Sequence, residues 1–462
     1  MGAGKTTLGH RLAERLDRPF VDVDELVAAE AGRPIAALFA ERGEAEFRAL
    51  EAAATVAELE SPTPAVVALG GGGVETEAVR RALAERAVTV WLDVDADTAW
   101  ERARGTERPL ARDEEDFRAR HARRHPLYAA VADAVARDDD DAVLAAAGVH
   151  VETGALERLA DLVPGDAPAA LVADARVSGV HGAAAQLALG ARLATTHELP
   201  VGEAAKTLDA CRALWDELRL GRDGVLVALG GGCTTDAAGF AAATYLRGID
   251  WVPVPTTLVG QVDAAIGGKT ALNLPAGKNL LGAFHWPARV VVDPALLETL
   301  PAEERRAGLS EIVKTGLLAG EPLWELPEPE LVRRCAAYKA AVCLRDPLAA
   351  VERAILNLGH TFAHALEAAA GYEEVSHGHA VALGLLGALR LSGLDEEPVR
   401  RLLDPRPVRV DAERAWEALR RDKKAAGGRV RLVLLERPGV PVWPAEVPED
   451  DVRRALGELI AG

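Results

Sequence analysis

Short runs of consecutive apolar residues alternate along this chain with longer stretches of helical periodicity. Near the start, Thr6 to Leu16 has helical spacing, and Pro19 to Val23 is a short extended run flanked by Asp22 and Asp24. Ala65 to Leu69 is a continuous apolar run that enters Gly70-Gly71-Gly72-Gly73, and Val88 to Leu92 is another. Strands alternating with helices predict a doubly wound parallel sheet, an α/β architecture. A second α/β region follows, with strand-like runs near residues 170–174, 225–229 and 290–292. From about Pro301 the pattern turns mainly helical, with few strand signals until Arg429 to Leu435. Asp395 to Val410, rich in proline and charge, reads as a loop.

The length of 462 residues sets an expectation of about three domains of ~150 residues. The predicted divisions are 1–147, 148–300 and 301–462. The first follows the acidic run Asp138 to Asp141, read as a solvated turn between domains. Apolar residues make up 49% and charged residues 27%, a globular composition. The net charge of -18 argues against nucleic acid as a partner. Anionic small molecules remain open as substrates, because a local lysine cluster can override a global field. Cys211, Cys233, Cys335 and Cys343 form no CxxC pair, which points to a reducing, cytoplasmic compartment. No charge-free apolar stretch is long enough to span a bilayer, and no basic-then-apolar leader precedes the first motif. The expectation is therefore no membrane partner.

GAGKTT at residues 2–7 is the end of a phosphate-binding loop. Backbone N–H groups of Gly2, Ala3, Gly4 and Thr7 can turn toward phosphates, Lys5 can reach the outer phosphates, and Thr6 can ligate magnesium. Further along come DVDE at 22–25, Phe47-Arg48, the glycine run, Arg108-Pro109-Leu110 and RHPLY at 124–128. The full GxxxxGK[ST] pattern needs its first glycine ahead of Met1, and the buried central strand that feeds such a loop is not in the written sequence. The expectation is an upstream start; the alternative is a damaged kinase kept as a scaffold.

This ordered set resembles shikimate kinase over about residues 1–137. The resemblance implies ATP and Mg2+ as cofactors and shikimate as substrate. It places Asp24, Arg48, Gly71 and Arg124 at the shikimate site, Asp22 with Thr6 near the magnesium, and Arg108 on the nucleotide phosphates. Arginines suit a carboxylate, which they grip bidentately. Asp24 can orient or deprotonate the attacking hydroxyl. Phosphoryl transfer needs mostly positioning and charge neutralisation.

In the second half, Val225 to Leu229 runs into Gly230-Gly231-Gly232 and then Cys233-Thr234-Thr235-Asp236, in outline a dinucleotide pyrophosphate site. Arg247 to His285 then carries Thr256-Thr257, Asp263, Lys269 in GGKT and Lys278 in GKN. So dense a set of specified polar residues fits a phosphorylated, polyhydroxylated small molecule. Glu311 lies in LSEIVKTG, His360 and His364 stand four apart on one helical face in LNLGHTFAHALE, and His377 and His379 lie in SHGHAV. One carboxylate and two imidazoles with an open position suit a catalytic zinc.

These motifs resemble 3-dehydroquinate synthase over roughly residues 150–462. The resemblance implies NAD and Zn2+ (or Co2+) as cofactors and DAHP as substrate. The implied metal ligands are Glu311, His360 and His377, with His379 standing where the family usually has glutamate. The implied NAD contacts are Gly202, Glu203, Lys206, Gly232, Cys233, Thr234, Thr235, Asp236, Thr256, Thr257, Lys269, Lys278, Leu296, Leu297, Glu298 and Thr299. The implied substrate set is Arg247, Asp263, Lys269, Asn279, Lys314, Lys339, Arg353, Asn357 and one of Lys423 or Lys424, while His364 touches substrate or relays protons. Synthase relatives imply a homodimer. The implied reaction oxidises a hydroxyl, eliminates phosphate, returns the hydride, and closes a carbocycle by aldol addition. Two other readings stay open from the residues alone: a metal-dependent polyol dehydrogenase for the second half, and a non-catalytic module for the first.

Overall fold

The computed structural model describes residues 2–105, 110–275, 277–371, 374–422 and 429–461. The chain divides into two compact units, Met1–Ala147 and Gly148–Gly462.

In the first unit the apolar runs form strands β1 (Phe20–Asp22), β2 (Val66–Ala68), β3 (Val90–Trp91) and β4 (Ala134–Val135). β1 pairs with β2 and β3 with β4, both in parallel, as two separate ladders. The sequence predicts one doubly wound sheet, and the described residues form its two halves. No strand among them bridges β2 and β3. Instead, a cleft of about 480 Å³ lies there, lined by Val66 to Leu69 on one side and Val88 to Leu92 on the other. The helix Lys5–Leu16 buries Gly9, Leu12, Ala13 and Leu16, the stripe its periodicity predicts. Val23, Val27, Leu38, Phe47 and Ala54 make a compact core. The acidic run is not the solvated turn expected from sequence. Asp138 caps the helix Asp139–Ala146 by accepting from the Asp141 N–H, and acids in the first turn suit the positive end of the helix dipole.

The second unit opens with β5 (Val149–Val151), followed by β6 (Ala169–Asp174), β7 (Leu193–Leu199), β8 (Val225–Gly230) and β9 (Asp250–Pro255). The last four form one parallel sheet in the order β7-β6-β8-β9. Alternation assigns its two faces. Ala170, Val172, Leu226 and Ala228 enter one core, while Ala169, Leu171, Ala173, Val225, Val227 and Leu229 enter the other. A sheet covered on both faces explains why these strands read as unbroken apolar runs. The run Arg247 to His285, read from sequence as a binding segment, contains β9, a single wide turn Gly260–Ala264, and the hairpin β10 (Lys269–Leu274) and β11 (Gly277–Phe284). β12 (Val290–Val292) then pairs in parallel with β5.

The helices Ala302–Ala319, Glu328–Arg345, His360–Ala369 and His377–Ser392 follow, closed by the hairpin β13 (Arg429–Arg437) and β14 (Val440–Pro448). Their shared core includes Phe362, Leu366, Leu385, Leu389, Leu419 and Val430. The segment Asp395 to Val410 is not wholly a loop, because Glu397–Leu403 is helical. Its proline lies in the first turn, where no intrahelical N–H is required, and Val399 and Leu403, four apart, are buried. No helix among the described residues is long and apolar enough to cross a membrane.

Candidate active sites

Glu311 comes from the middle of the helix Ala302–Ala319, His360 from the first turn of its helix and His377 from the first turn of the next. Glu311 Oε1 lies 3.5 Å from His360 Nε2 and 3.5 Å from His377 Nε2. These separations exceed a hydrogen bond. They match two ligands each ~2.1 Å from an ion at the tetrahedral angle, which stand about 3.4 Å apart. Among the described residues, both Glu311 oxygens are buried without a hydrogen bond, although Lys314 forms an ion pair with Oε2. The opposite ring nitrogens are oriented from behind: His360 Nδ1 lies 3.2 Å from the Leu358 carbonyl and His377 Nδ1 lies 3.3 Å from Glu367 Oε1. The donor set therefore fits a divalent ion. His379 takes no part in it, since its Nε2 faces the Arg406 carbonyl at 2.7 Å. Burial would raise the Glu311 carboxyl, but the charges of Lys314 and His360 hold it well below the usual range. Burial would lower His377, yet the Glu311 and Glu367 carboxylates facing its two ring nitrogens raise it to about 10.

Beside this set, Lys314 is buried between two carboxylates, Glu311 and Asp263, the latter at 3.9 Å. Asp263 also pairs with Lys339. Burial would raise Asp263, and the charges of Lys339 and Lys314 hold it below its ordinary value. Lys269 is pushed down by partial desolvation and by the like charges of Lys339 and Arg353. Arg353 is buried, donates to the Gly267 carbonyl at 2.8 Å and lies about 6 Å from the Phe284 and Trp286 rings; among the described residues its Nε has no hydrogen-bond partner. Three cations crowded so closely favour a polyanion between them. His364 packs edge-on against His360, with centroids 5.6 Å apart, and Asn357 ends the turn that leads into His360.

A third grouping lies at the carboxyl ends of β6 and β8. Gly232 starts the helix Gly232–Thr244, whose N-terminus follows the strand at once, the geometry of an anion site. Thr234 donates to Asp174 at 3.0 Å, Thr235 to the Gly232 carbonyl at 3.1 Å, and the Thr256 N–H to the Gly230 carbonyl at 3.0 Å. Thr257 accepts from the Gly260 N–H at 3.1 Å. Lys206 reaches Asp236 at 2.5 Å and also Asn279. Glu203 accepts from Asn273 at 2.7 Å and pairs with Lys278 at 3.0 Å. Asn279, expected with the substrate, thus stands with residues expected on the dinucleotide. Burial lifts the Cys233 thiol to about 12, so it is not a nucleophile at neutral pH. Leu296 and Leu297 are core residues, whereas Glu298 and Thr299 are exposed in the same turn. Arg247 is exposed in the turn Tyr245–Arg247 and, among the described residues, makes no hydrogen bond or ion pair.

In the first unit, Lys5 and Thr6 open the helix after Gly2, Ala3 and Gly4, with Thr7 beside them. Thr6 donates to Asp22 at 2.9 Å, and Asp22 accepts from the Asp24 N–H at 3.0 Å. The glycine run brings backbone against charge. A side chain at Gly70 would collide with Glu51 and Asp24, and one at Gly72 with the Arg48 guanidinium. Gly71 accepts from the Tyr128 hydroxyl at 2.6 Å. Arg48 pairs with Glu51 at 2.5 Å, while Arg124, only 3% exposed, pairs with Glu75 at 2.7 Å. Among the described residues, the Nε atoms of both arginines and one Glu51 oxygen are buried without a hydrogen-bond partner. Burial raises the Glu51 carboxyl despite Arg48. Arg108, Lys423 and Lys424 lie outside the described residues.

Sequence reasoning missed four positioning residues. Glu367 stands seven after His360, two helical turns along the same face, so the periodicity could have marked it. Asp174, at a strand end, and Glu51, three after Arg48, carry similar spacing signals. Glu75 has none, because its pairing with Arg124 crosses 49 positions of sequence.

The family model for shikimate kinase matches residues 1–153. Those for the N-terminal and C-terminal parts of 3-dehydroquinate synthase match residues 196–307 and 308–425. A 3-dehydroquinate synthase of Bordetella pertussis is 42% identical over 341 residues, covering 67% of this chain and 95% of that protein. One from Rippkaea orientalis is 40% identical over 294 residues, covering 56% of this chain and 80% of that one. Among solved structures, 2-deoxy-scyllo-inosose synthase with carbaglucose-6-phosphate, NAD+ and Co2+ is 26% identical with a TM-score of 0.60, covering 67% of this chain and 96% of the other. A 2-epi-5-epi-valiolone synthase from Streptomyces hygroscopicus subsp. jinggangensis 5008, with NAD+ and Zn2+ bound, is 27% identical with a TM-score of 0.59 over the same shares.

Proposed function

The chain belongs to the 3-dehydroquinate synthase family and carries a shikimate kinase domain ahead of the synthase, and from that premise we propose which residues perform each reaction of this bifunctional shikimate-pathway enzyme. The observation that carries the synthase assignment is the ion-sized gap among Glu311, His360 and His377 beside three crowded cations. Membership of the synthase family replaces the polyol-dehydrogenase reading. We assign residues 148–300 to NAD and residues 301–462 to metal and substrate. The homodimer through the synthase half and a cytoplasmic location belong to the same reading. Cysteines free of disulfides, Cys211, Cys233, Cys335 and Cys343, support that location.

Bound NAD would supply the hydride acceptor and donor, and a divalent ion the Lewis acid that polarises the substrate hydroxyl. Glu311, His360 and His377 hold the ion, with Glu367 and the Leu358 carbonyl fixing the rings. Lys269, Lys339 and Arg353 hold the phosphate and carboxylate of DAHP. Held there, the phosphate can take the proton from the neighbouring carbon as it leaves. Lys314, fixed between Glu311 and Asp263, places a positive charge beside the reacting carbons. His364 moves a proton at the edge of the ion site. The protein's contribution is mostly orientation. Gly232 to Asp236, with Lys206, Lys278 and Thr256-Thr257, seat the dinucleotide; Asn279 can contact both dinucleotide and substrate.

In the kinase half, Lys5 and the Gly2–Thr7 amides hold the ATP phosphates, and Thr6 with Asp22 holds Mg2+. Arg48 and Arg124 receive the shikimate carboxylate, while Asp24 orients the attacking hydroxyl against Gly71. Phosphate release from DAHP and ADP release with shikimate, measured on wild type, Glu311→Gln and Asp24→Asn, test these roles. Each substitution is expected to remove one activity and spare the other. Retention of both activities in either variant would refute the corresponding site.

A further inference from the structure

Gln261 lies in the wide turn Gly260–Ala264 and is completely buried. Its Nε2 donates to two backbone carbonyls, that of Pro255 at 3.1 Å and that of Asp293 at 2.7 Å. Both stand at strand ends: Pro255 is the last residue of β9, and Asp293 follows β12. Two carbonyl acceptors fix the orientation of the amide, since the reverse would turn its oxygen onto both. Among the described residues, Oε1 is then buried with no hydrogen-bond partner. An apolar side chain of the same size would not leave that oxygen desolvated and unpaired. The cost calls for a task that the two donated bonds perform.

The task is to hold the turn. The Gln261 N–H donates to the Thr257 carbonyl at 2.9 Å, the Gly260 N–H to the Thr257 hydroxyl at 3.1 Å, and the Ala265 N–H returns to the Gly260 carbonyl at 3.2 Å. In a turn this wide, side chains two residues apart project to nearly opposite sides. Gln261 therefore faces the strand ends, while Asp263 faces the helices Glu328–Arg345 and Ala302–Ala319, where it pairs with Lys339 and lies 3.9 Å from Lys314. The far anchor is itself braced, because the Asp293 carboxylate accepts from the N–H groups of Gly154, Leu156 and Ala295 at 2.9, 3.0 and 3.0 Å. We infer that Gln261 is a positioning residue of the synthase. By tying the turn to the ends of β9 and β12, it holds Asp263 where that carboxylate sets Lys314 and Lys339 against the substrate. The inference rests on the assignment of those lysines to DAHP.

The test is a double-mutant cycle on the full chain, with phosphate release from DAHP read at saturating NAD and metal. Gln261→Leu removes both donors. It is expected to lower kcat/KM by about 10- to 100-fold when Asp263 is present, the cost of a slightly displaced charged group. In an Asp263→Asn background the same change is expected to cost less than about twofold. NAD affinity, read by equilibrium titration, should move by less than about twofold. Equal losses in both backgrounds, or no loss in either, overturn the inference. So does NAD affinity that falls as far as kcat/KM, because the amide would then support the sheet as a whole. If Gln261→Leu fails to fold, Gln261→Met, closer in length and equally without donors, is read by the same criteria, and failure of both to fold overturns the inference. Equal losses beside an impaired Asp263→Asn leave the site assignment standing. Undiminished turnover in Asp263→Asn refutes the role assigned to Asp263, and the inference with it.

Discussion

His377 faces Glu367 through Nδ1 at 3.3 Å, which turns its Nε2 toward Glu311. A carboxylate behind a metal-binding imidazole fixes the ring and raises its basicity. Replacing Glu367 by Gln should therefore weaken metal affinity by about 10- to 100-fold, with little loss of activity once metal is saturating. Competition against a chelator of known affinity checks this. Unchanged affinity would mean that Glu367 is only a packing residue.

Arg353 combines a buried guanidinium, a backbone acceptor at Gly267 and two aromatic neighbours. A lysine cannot reproduce that planar fork. Arg353→Lys should lower kcat/KM for DAHP by about a hundredfold, the cost of a misplaced substrate anion, while leaving kinase activity intact. Steady-state kinetics on both substrates reads the difference.

Gly359 precedes His360 with φ 78°, and a side chain there would stand 2.8 Å from the Leu385 backbone nitrogen. Gly359→Ala should cost at least ~1–3 kcal/mol in strain and displace His360 with it. Thermal unfolding and metal titration should fall together. A lower melting temperature with unchanged metal binding would separate the backbone from the ligand.

Glu75 links the kinase arginines to acid stability. Burial would raise its carboxyl, but hydrogen bonds and charge from Arg124 and Arg123 lower it from 4.5 to about 2. A depressed carboxyl stabilises the fold fully above its unfolded value. That contribution is lost as pH falls from about 4.5 through about 2. After discounting for solvent screening, the contribution is roughly 1–2 kcal/mol. Glu75→Gln should thus destabilise the first unit at pH 7, with the difference from wild type shrinking as the pH drops below about 4. Because Glu75 occupies Arg124, which we propose receives the shikimate carboxylate, the variant should also lower KM for shikimate. Unfolding at several pH values, with kinetics alongside, checks both.

The phosphate loop and the GGKT and GKN lysines are legible in sequence because each needs a fixed residue type at a fixed local spacing, whereas Glu311, His360 and His377, proposed to hold the ion, stand 49 and 17 positions apart and are legible only through the resemblance of the motifs around them. The parallel sheet of the second unit is legible from local pattern: β6 and β8 are apolar on both faces. The misreadings share another cause. Asp138 to Asp141 reads as a turn because charge signals solvent, yet helix N-termini also collect acids. Proline in Glu397–Leu403 signals a break, yet it is tolerated in a first turn. Contacts such as Glu75 with Arg124, or Lys206 with Asn279, join distant positions and leave no local pattern.

A metal site that works beside a recycled dinucleotide is the centre of the proposed function. Its most direct test is phosphate release from DAHP by chelator-treated protein with NAD, followed as Zn2+ or Co2+ is titrated back and NADH absorbance is recorded. The account predicts that phosphate release returns with about one metal ion per chain and that NADH does not accumulate. Phosphate release independent of metal, or NADH rising in step with turnover, would contradict it.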